Sequence, residues 1–171
     1  ADGTKMAAVV KNGNIWTSNN TGATWTEVTS VGATKEWSWI TSTADGTKLA
    51  ATVHEGNIWT SNDSGATWTE DTSVGAAKNF VGITSSADGT KLAACEYNGD
   101  IWTSSDSGGN WTKDTSVGAQ KKWMAITSST DGTKLAANVE DGNIWTSTDS
   151  GATWNVSLSG GRTWYDITSS A

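Results

Sequence analysis

A chain of 171 residues with a formal charge of −7 has room for one ordinary domain or a short repeat array, and its 19 Gly, 12 Trp and absence of Pro favour the array. The acidic balance argues against nucleic acid, whose phosphates need clustered Lys and Arg, and against anionic membrane surfaces. No apolar run approaches the ~20 residues of a membrane-spanning helix. A single cysteine, Cys95, rules out an internal disulfide and sits in the apolar run 92–95, where it reads as a small core residue. Residues 1–5 do not read as a signal peptide, and a mature secreted chain would look the same, so the compartment is not legible.

Self-comparison organises the rest. Asp-Gly-Thr-Lys begins at Asp2, Asp45, Asp88 and Asp131, each 43 residues after the last, giving repeats 2–44, 45–87, 88–130 and 131–171. Taking one copy in chain order, residues 37–42 (Trp-Ser-Trp-Ile-Thr-Ser) are aromatic and β-branched and predict a first strand. Asp45-Gly46 predicts a tight turn, residues 48–53 a second strand with small residues on both faces, and Glu55-Gly56 a second turn. Residues 57–61 (Asn-Ile-Trp-Thr-Ser) predict a third strand, and 66–70 a fourth that contains Trp68. No window carries a helical period. Four short strands in ~40–45 residues, repeated, predict an all-β chain: a β-propeller of four-stranded antiparallel blades, four per chain. A β-solenoid, with shorter coils, is the lesser alternative.

Between the third and fourth strands stands Ser61-Asn62-Asp63-Ser64-Gly65-Ala66-Thr67-Trp68. This segment resembles the Asp-box family, also called bacterial neuraminidase repeats, whose pattern is Ser/Thr-x-Asp-x-Gly-x-Thr-Trp. Residues 147–154 match in full, through Asp149, Gly151 and Trp154. Residues 104–111 match through Asp106, Gly108 and Trp111, with Asn110 in place of Thr. Residues 18–25 match through Gly22 and Trp25, with Asn20 in place of Asp. The chemistry is that of a turn. A carboxylate at Asp63 accepts following backbone N–H groups, Asn20 can do so through its amide oxygen, Gly65 supplies a positive φ, and Trp68 folds over the turn. The resemblance implies the same structural role, away from any active face. One carboxylate per turn is a poor cation loop, so no metal and no cofactor is expected.

Trp16, Trp59, Trp102 and Trp145 share one repeat position, and Trp37, Phe80, Trp123 and Trp164 another, as blade-to-blade packing requires. Trp39 differs, since its counterparts are Gly82, Ala125 and Asp166; it is the aromatic expected to be exposed and the one candidate ligand contact. The second turn carries Lys11-Asn12, His54-Glu55, Tyr97-Asn98 and Glu140-Asp141, and this variety predicts a solvated turn under little constraint.

Sialidases carry Asp boxes, but that family clamps its substrate carboxylate with three arginines. The chain has only Arg162, so sialidase activity is excluded. Other Asp-box glycosidases need two acids on loops facing a cleft. The acids outside the boxes here (Glu27, Glu70, Asp71, Asp114) lie near repeated linker positions, so no enzyme is expected. The sequence begins before a second strand and finishes with a first strand at residues 164–170, Ala171 repeating the place of Ala1. That permutation predicts closure by strand exchange. The exchange occurs within one chain as a four-bladed ring, or between two chains as an eight-bladed ring; bulky Trp contacts favour the latter. The expected function is a self-assembling propeller scaffold without an evolved ligand, an engineered or excised repeat array being one form that fits. The alternative is a multivalent carbohydrate-binding lectin. A protein-binding face has no specific support.

Overall fold

The computed structural model describes residues 2–170, so the equivalence of Ala1 and Ala171 lies outside it. The described residues form sixteen strands and no helix. β1 (Met6–Val9), β3 (Ile15–Ser18) and β4 (Thr26–Val28) make a three-stranded antiparallel sheet in which β1 is an edge. Three further units follow with four strands each, paired in sequence order: β5 (Lys35–Ser42), β6 (Leu49–Val53), β7 (Ile58–Ser61) and β8 (Thr69–Asp71); then β9 (Phe80–Ser85), β10 (Leu92–Gly99), β11 (Ile101–Ser104) and β12 (Thr112–Lys113); then β13 (Lys121–Ser128), β14 (Leu135–Val139), β15 (Gly142–Ser147) and β16 (Asn155–Arg162).

Short pairings tie each unit to the next. β2 (Lys11–Gly13) pairs with the start of β5, Gly56 bridges Lys78, and the end of β10 pairs with the start of β13. The first strands pack in series, β5 on β9 and β9 on β13. Sheets stacked side by side through their first strands are the architecture of a propeller, and the all-β reading holds.

Residues 164–170, expected as a closing first strand, form no strand, and two boundaries differ by more than one residue from the sequence expectation. The first strand of the second unit begins two residues early, at Lys35, because Lys35 and Glu36 pair with β2 of the preceding unit. The fourth strand begins at Thr69, not at residue 66: residues 66–68 still belong to the box turn, whose hydrogen bonds hold them off the ladder. β16 is long for a related reason. The last linker is two residues shorter, so the fourth strand runs on to Arg162, whose pairing with Gly142 repeats that of Lys35 with Gly13.

The core lies in the sandwiches between adjacent units. Each contains an aromatic group drawn from three repeat positions. Trp37 meets Trp59 edge-on at 6.1 Å and Trp68 at 6.4 Å; Trp123 meets Trp145 and Trp154, both at 6.3 Å. Phe80 fills the matching place in the third unit, clustered with Trp102 and Trp111. Tilted and edge-on indoles place a positive ring edge against a negative face, adding ~0.5–1.5 kcal/mol per pair to the burial itself. Lys35, Lys78 and Lys121 then lie 4.5, 4.9 and 4.8 Å over Trp59, Trp102 and Trp145.

Candidate functional site

The four box turns share one hydrogen-bond scheme. In the second, Ser61 Oγ donates to Asp63 Oδ1 at 2.8 Å and accepts from Gly65 N at 2.9 Å. Thr67 N donates to Asp63 Oδ1 at 2.9 Å and Thr67 Oγ1 to Oδ2 at 2.6 Å. The boxes at Asp106 and Asp149 repeat it, with Asn110 Nδ2 donating to Asp106 Oδ2 at 2.7 Å where Thr stands elsewhere. In the first, Asn20 Oδ1 accepts from Thr24 N at 2.9 Å and Asn20 Nδ2 donates to Thr24 Oγ1 at 2.8 Å, so the amide keeps the turn intact. Hydrogen bonds from Thr67, Asn110 and Thr153 favour the ionised carboxylates and lower the pKa of Asp63, Asp106 and Asp149 to about 2. Their oxygens are engaged within the turn.

Sequence reasoning missed two parts of this motif. The serine hydroxyls, all buried, join the acid to the glycine N–H. The residue before each glycine, namely Thr21, Ser64, Ser107 and Ser150, takes a positive φ near 60°. That conformation aims the turn at the preceding unit. A Cβ on Gly65, Gly108 or Gly151 would come within 2.8, 2.8 and 2.6 Å of Thr17, Thr60 and Thr103 Cγ2 respectively, whereas one on Gly22 would come no nearer than 3.4 Å, to Met6 Sδ. The boxes therefore serve as joints between units. Lysines reinforce them: Lys5 Nζ donates to Ser64 Oγ at 3.0 Å and Lys48 Nζ to Ser107 Oγ at 3.3 Å. Trp68, Trp111 and Trp154 are 5–8% exposed, but Trp25 is 40% exposed because no sheet covers the first unit.

Trp39 is 41% exposed and stands apart from the aromatic groups. The second-turn residues are less free than the sequence suggested. Lys11 Nζ lies 2.9 Å and His54 Nδ1 3.7 Å from the carboxylate of Glu36, while Tyr97 OH donates to Glu140 Oε2 at 2.8 Å, with Lys122 at 3.4 Å. Glu36 and Lys122 stand on first strands, between the second turn of their own unit (His54, Glu140) and that of the preceding one (Lys11, Tyr97), so these turns are held across the joint.

The acids weighed as glycosidase candidates have structural partners. Glu27 and Glu70 accept from Asn14 and Asn57 at 2.8 and 2.9 Å, and Asp71 and Asp114 accept from Ser73 N and Ser116 N. In the third unit the Asn–Glu pair becomes Asp100 with Lys113, at 2.8 Å. Among the described residues no three His, Cys, Asp or Glu side chains converge. The broadest grooves are an open one of about 740 Å³ beside Thr146, Lys134 and Ser169, one of about 520 Å³ lined by Thr60, Glu70, Asp71 and Asp106, and one of about 250 Å³ lined by Lys5, Thr17, Leu49 and Asp63.

The family model of the BNR-Asp box repeat matches residues 101–115. No curated protein sequence matches the chain. Among solved structures, the chain is similar to a GH74 enzyme of Niastella koreensis (TM-score 0.68, 19% identity, 90% of this chain and 22% of that one) and to the GH74 xyloglucanase of Xanthomonas campestris (0.69, 17%, 92% and 28%). It is also similar to YCF48 from Cyanidioschyzon merolae (0.63, 15%, 95% and 59%). These neighbours are β-propeller proteins, and the likeness establishes that fold. The chain spans about a quarter of the glycoside hydrolase chains and under two thirds of YCF48.

Proposed function

We propose that this chain is a non-catalytic β-propeller scaffold that assembles through strand exchange at its ends. The observation that carries the reading is where the repeated polar groups go. Box acids, serines, threonines and joint lysines are bonded within turns or across units, and Glu27, Glu70, Asp100, Asp71 and Asp114 hold asparagines, a lysine or linker turns. General acid–base hydrolysis of a glycoside needs two carboxyl groups facing one another across a cleft, separated by ~5–9.5 Å. Two of the grooves carry a single carboxylate each, and in the third Glu70, Asp71 and Asp106 are taken up by Asn57, Ser73 N and Asn110. The likeness to enzymes covers only a sector of them and concerns the fold.

Assembly is supported by the open edge of β1 and by the place of the C-terminal segment. Within one chain Met6 and Trp25 stay exposed on the first unit, while residues 164–170 hydrogen-bond to the last one. Two chains in one eight-bladed ring satisfy both. Size-exclusion chromatography with light scattering tests this directly: twice the single-chain mass is expected, and a stable species at 17.8 kDa overturns it.

The exposed indole of Trp39 favours a second reading, a carbohydrate-binding lectin. It ranks below the scaffold because Gly82, Ala125 and Asp166 replace the ring in the other repeats, which leaves one such platform per chain instead of a repeated one. A glycan array decides: binding abolished by Trp39→Ala supports the lectin, and silence across the array removes it.

A further inference from the structure

We infer that residues 164–170 of a second copy of this chain complete the first sheet, and that Trp164 of that copy joins Trp16 and Trp25 in a fourth aromatic group with Arg162 lying over Trp16. The inference deepens the scaffold reading and rests on it.

The donor segment is already in position. Trp37 Nε1 donates to Gly13 O of the preceding unit at 3.2 Å, and Trp164 Nε1 donates to Gly142 O at 3.1 Å. Ser128 Oγ contacts Thr84 Oγ1 at 3.2 Å and donates to Ser85 O at 2.9 Å; Ser169 Oγ contacts Thr127 Oγ1 at 3.2 Å and donates to Ser128 O at 2.6 Å. Residues 164–170 thus lie along β13 as β13 lies along β9, in the place of a next first strand, with no sheet of their own.

The acceptor is a sheet lacking that strand. β1 pairs only with β3, and its flank is open at Met6 and Val10, where the other units bury Leu49, Leu92 and Leu135 or half-bury Val53 and Val139. Carrying the β5–β6 register across by repeat position sets Asp166 opposite Val9, Ile167 opposite Ala8, Thr168 opposite Ala7 and Ser169 opposite Met6. The same carry-over puts Arg162, which stands where Lys35 and Lys121 stand, over Trp16 as those lysines lie over Trp59 and Trp145. In one chain its guanidinium instead lies 6.0 Å from Trp164. The opposite faces match as well. Thr146 and Lys134 border an open groove where Thr17, Thr60 and Thr103 receive a box glycine, and Gly22 is the box glycine that no threonine meets.

The occupant is a second copy because both halves of the joint are present on every chain, at opposite ends of the arc. β1 packs on β3 and β5, and β16 on β15. Two chains related by a two-fold axis make two such joints.

The test is cysteine trapping in a Cys95→Ala background. Ala7→Cys with Thr168→Cys should give, on oxidation, a covalent two-chain band in denaturing electrophoresis, because directly opposed Cβ atoms lie ~4.5–5.5 Å apart. Ala8→Cys with Thr168→Cys should give none, since neighbouring strand residues face opposite ways. Disulfide formation at single-chain mass overturns the second-copy joint, and a ladder of larger species overturns its closure by two chains. A two-chain mass in light scattering without cross-linking overturns the strand pairing while leaving the two-chain assembly intact. As a check independent of cysteines, Trp164→Ala should reduce the assembly to single chains with its strand circular dichroism retained. Trp164→Phe should restore it, since Phe80 serves the same place; loss of assembly in both variants overturns the inference.

Discussion

Gly65 and Gly75 sit at nearly the same left-handed backbone angle, φ +87° and +85°, yet an added methyl group would meet different surroundings. At Gly75 nothing lies within 4 Å; at Gly65 the new Cβ would stand 2.8 Å from Thr17 Cγ2 and 3.0 Å from Leu49 Cδ1. Gly75→Ala therefore costs the backbone penalty alone, ~1–2 kcal/mol. Gly65→Ala costs that and an overpacking term of ~1–3 kcal/mol, since Thr17 belongs to the preceding unit and the joint must widen to admit the methyl. At ~2–4 °C per kcal/mol for a chain of this size, the two variants should melt ~2–12 °C apart, Gly65→Ala the lower. Urea unfolding followed by tryptophan fluorescence gives the same comparison as a difference in midpoint at constant slope. Equal losses would refute the view that the box glycine is selected by contact between units.

Other consequences are sharp enough to measure. The carboxylates of Asp63, Asp106 and Asp149 titrate at about 2 when folded, below the ordinary 3.8; their stabilisation is present above pH ~4 and is lost as pH falls towards 2. Acid unfolding should lose part of its steepness when all three become Asn, the residue that serves at position 20. Phe80→Ala should cost ~3–5 kcal/mol, because its ring is fully buried between two units. Lys113→Glu alone should destabilise by setting a second carboxylate beside buried Asp100, and Asp100→Asn should rescue it by rebuilding the Asn–Glu pair of the first two units, with a coupling of ~0.5–3 kcal/mol in a double-mutant cycle. Burial pushes the Cys95 thiol far up, so an alkylating reagent should modify it only on unfolding, at a rate that follows denaturant.

The sheet units were legible because copies 43 residues apart fix each strand four times over, and single ambiguities average out. The asparagine at position 20 was readable too, since an amide oxygen can do the accepting work of a carboxylate. Trp39 stood out as a residue without counterparts, and it is exposed. What escaped the sequence lies between repeats. Comparing one column with itself cannot show that Gly65 presses on Thr17, or that Glu36 holds both Lys11 and His54, because each partner occupies a different column. The fourth strand was placed early because Trp68 looks like a strand residue, whereas its indole N–H donates to Gly65 O and keeps it with the turn. The buried serines carried no hydrophobic signal, and only the geometry of the box gives them a role.

The glycine-on-threonine and lysine-on-serine docking repeats with little change from unit to unit and involves immediate neighbours. Cohesion in such a molecule is a matter of adjacency: a unit is secured by the two beside it and is indifferent to those further round. Cutting the chain at any of its linkers would alter which seams are covalent without altering what a seam is made of. A permuted polypeptide that starts at Asp45 and carries residues 2–44 after its own last strand should offer the same seams to its surroundings as the native order does.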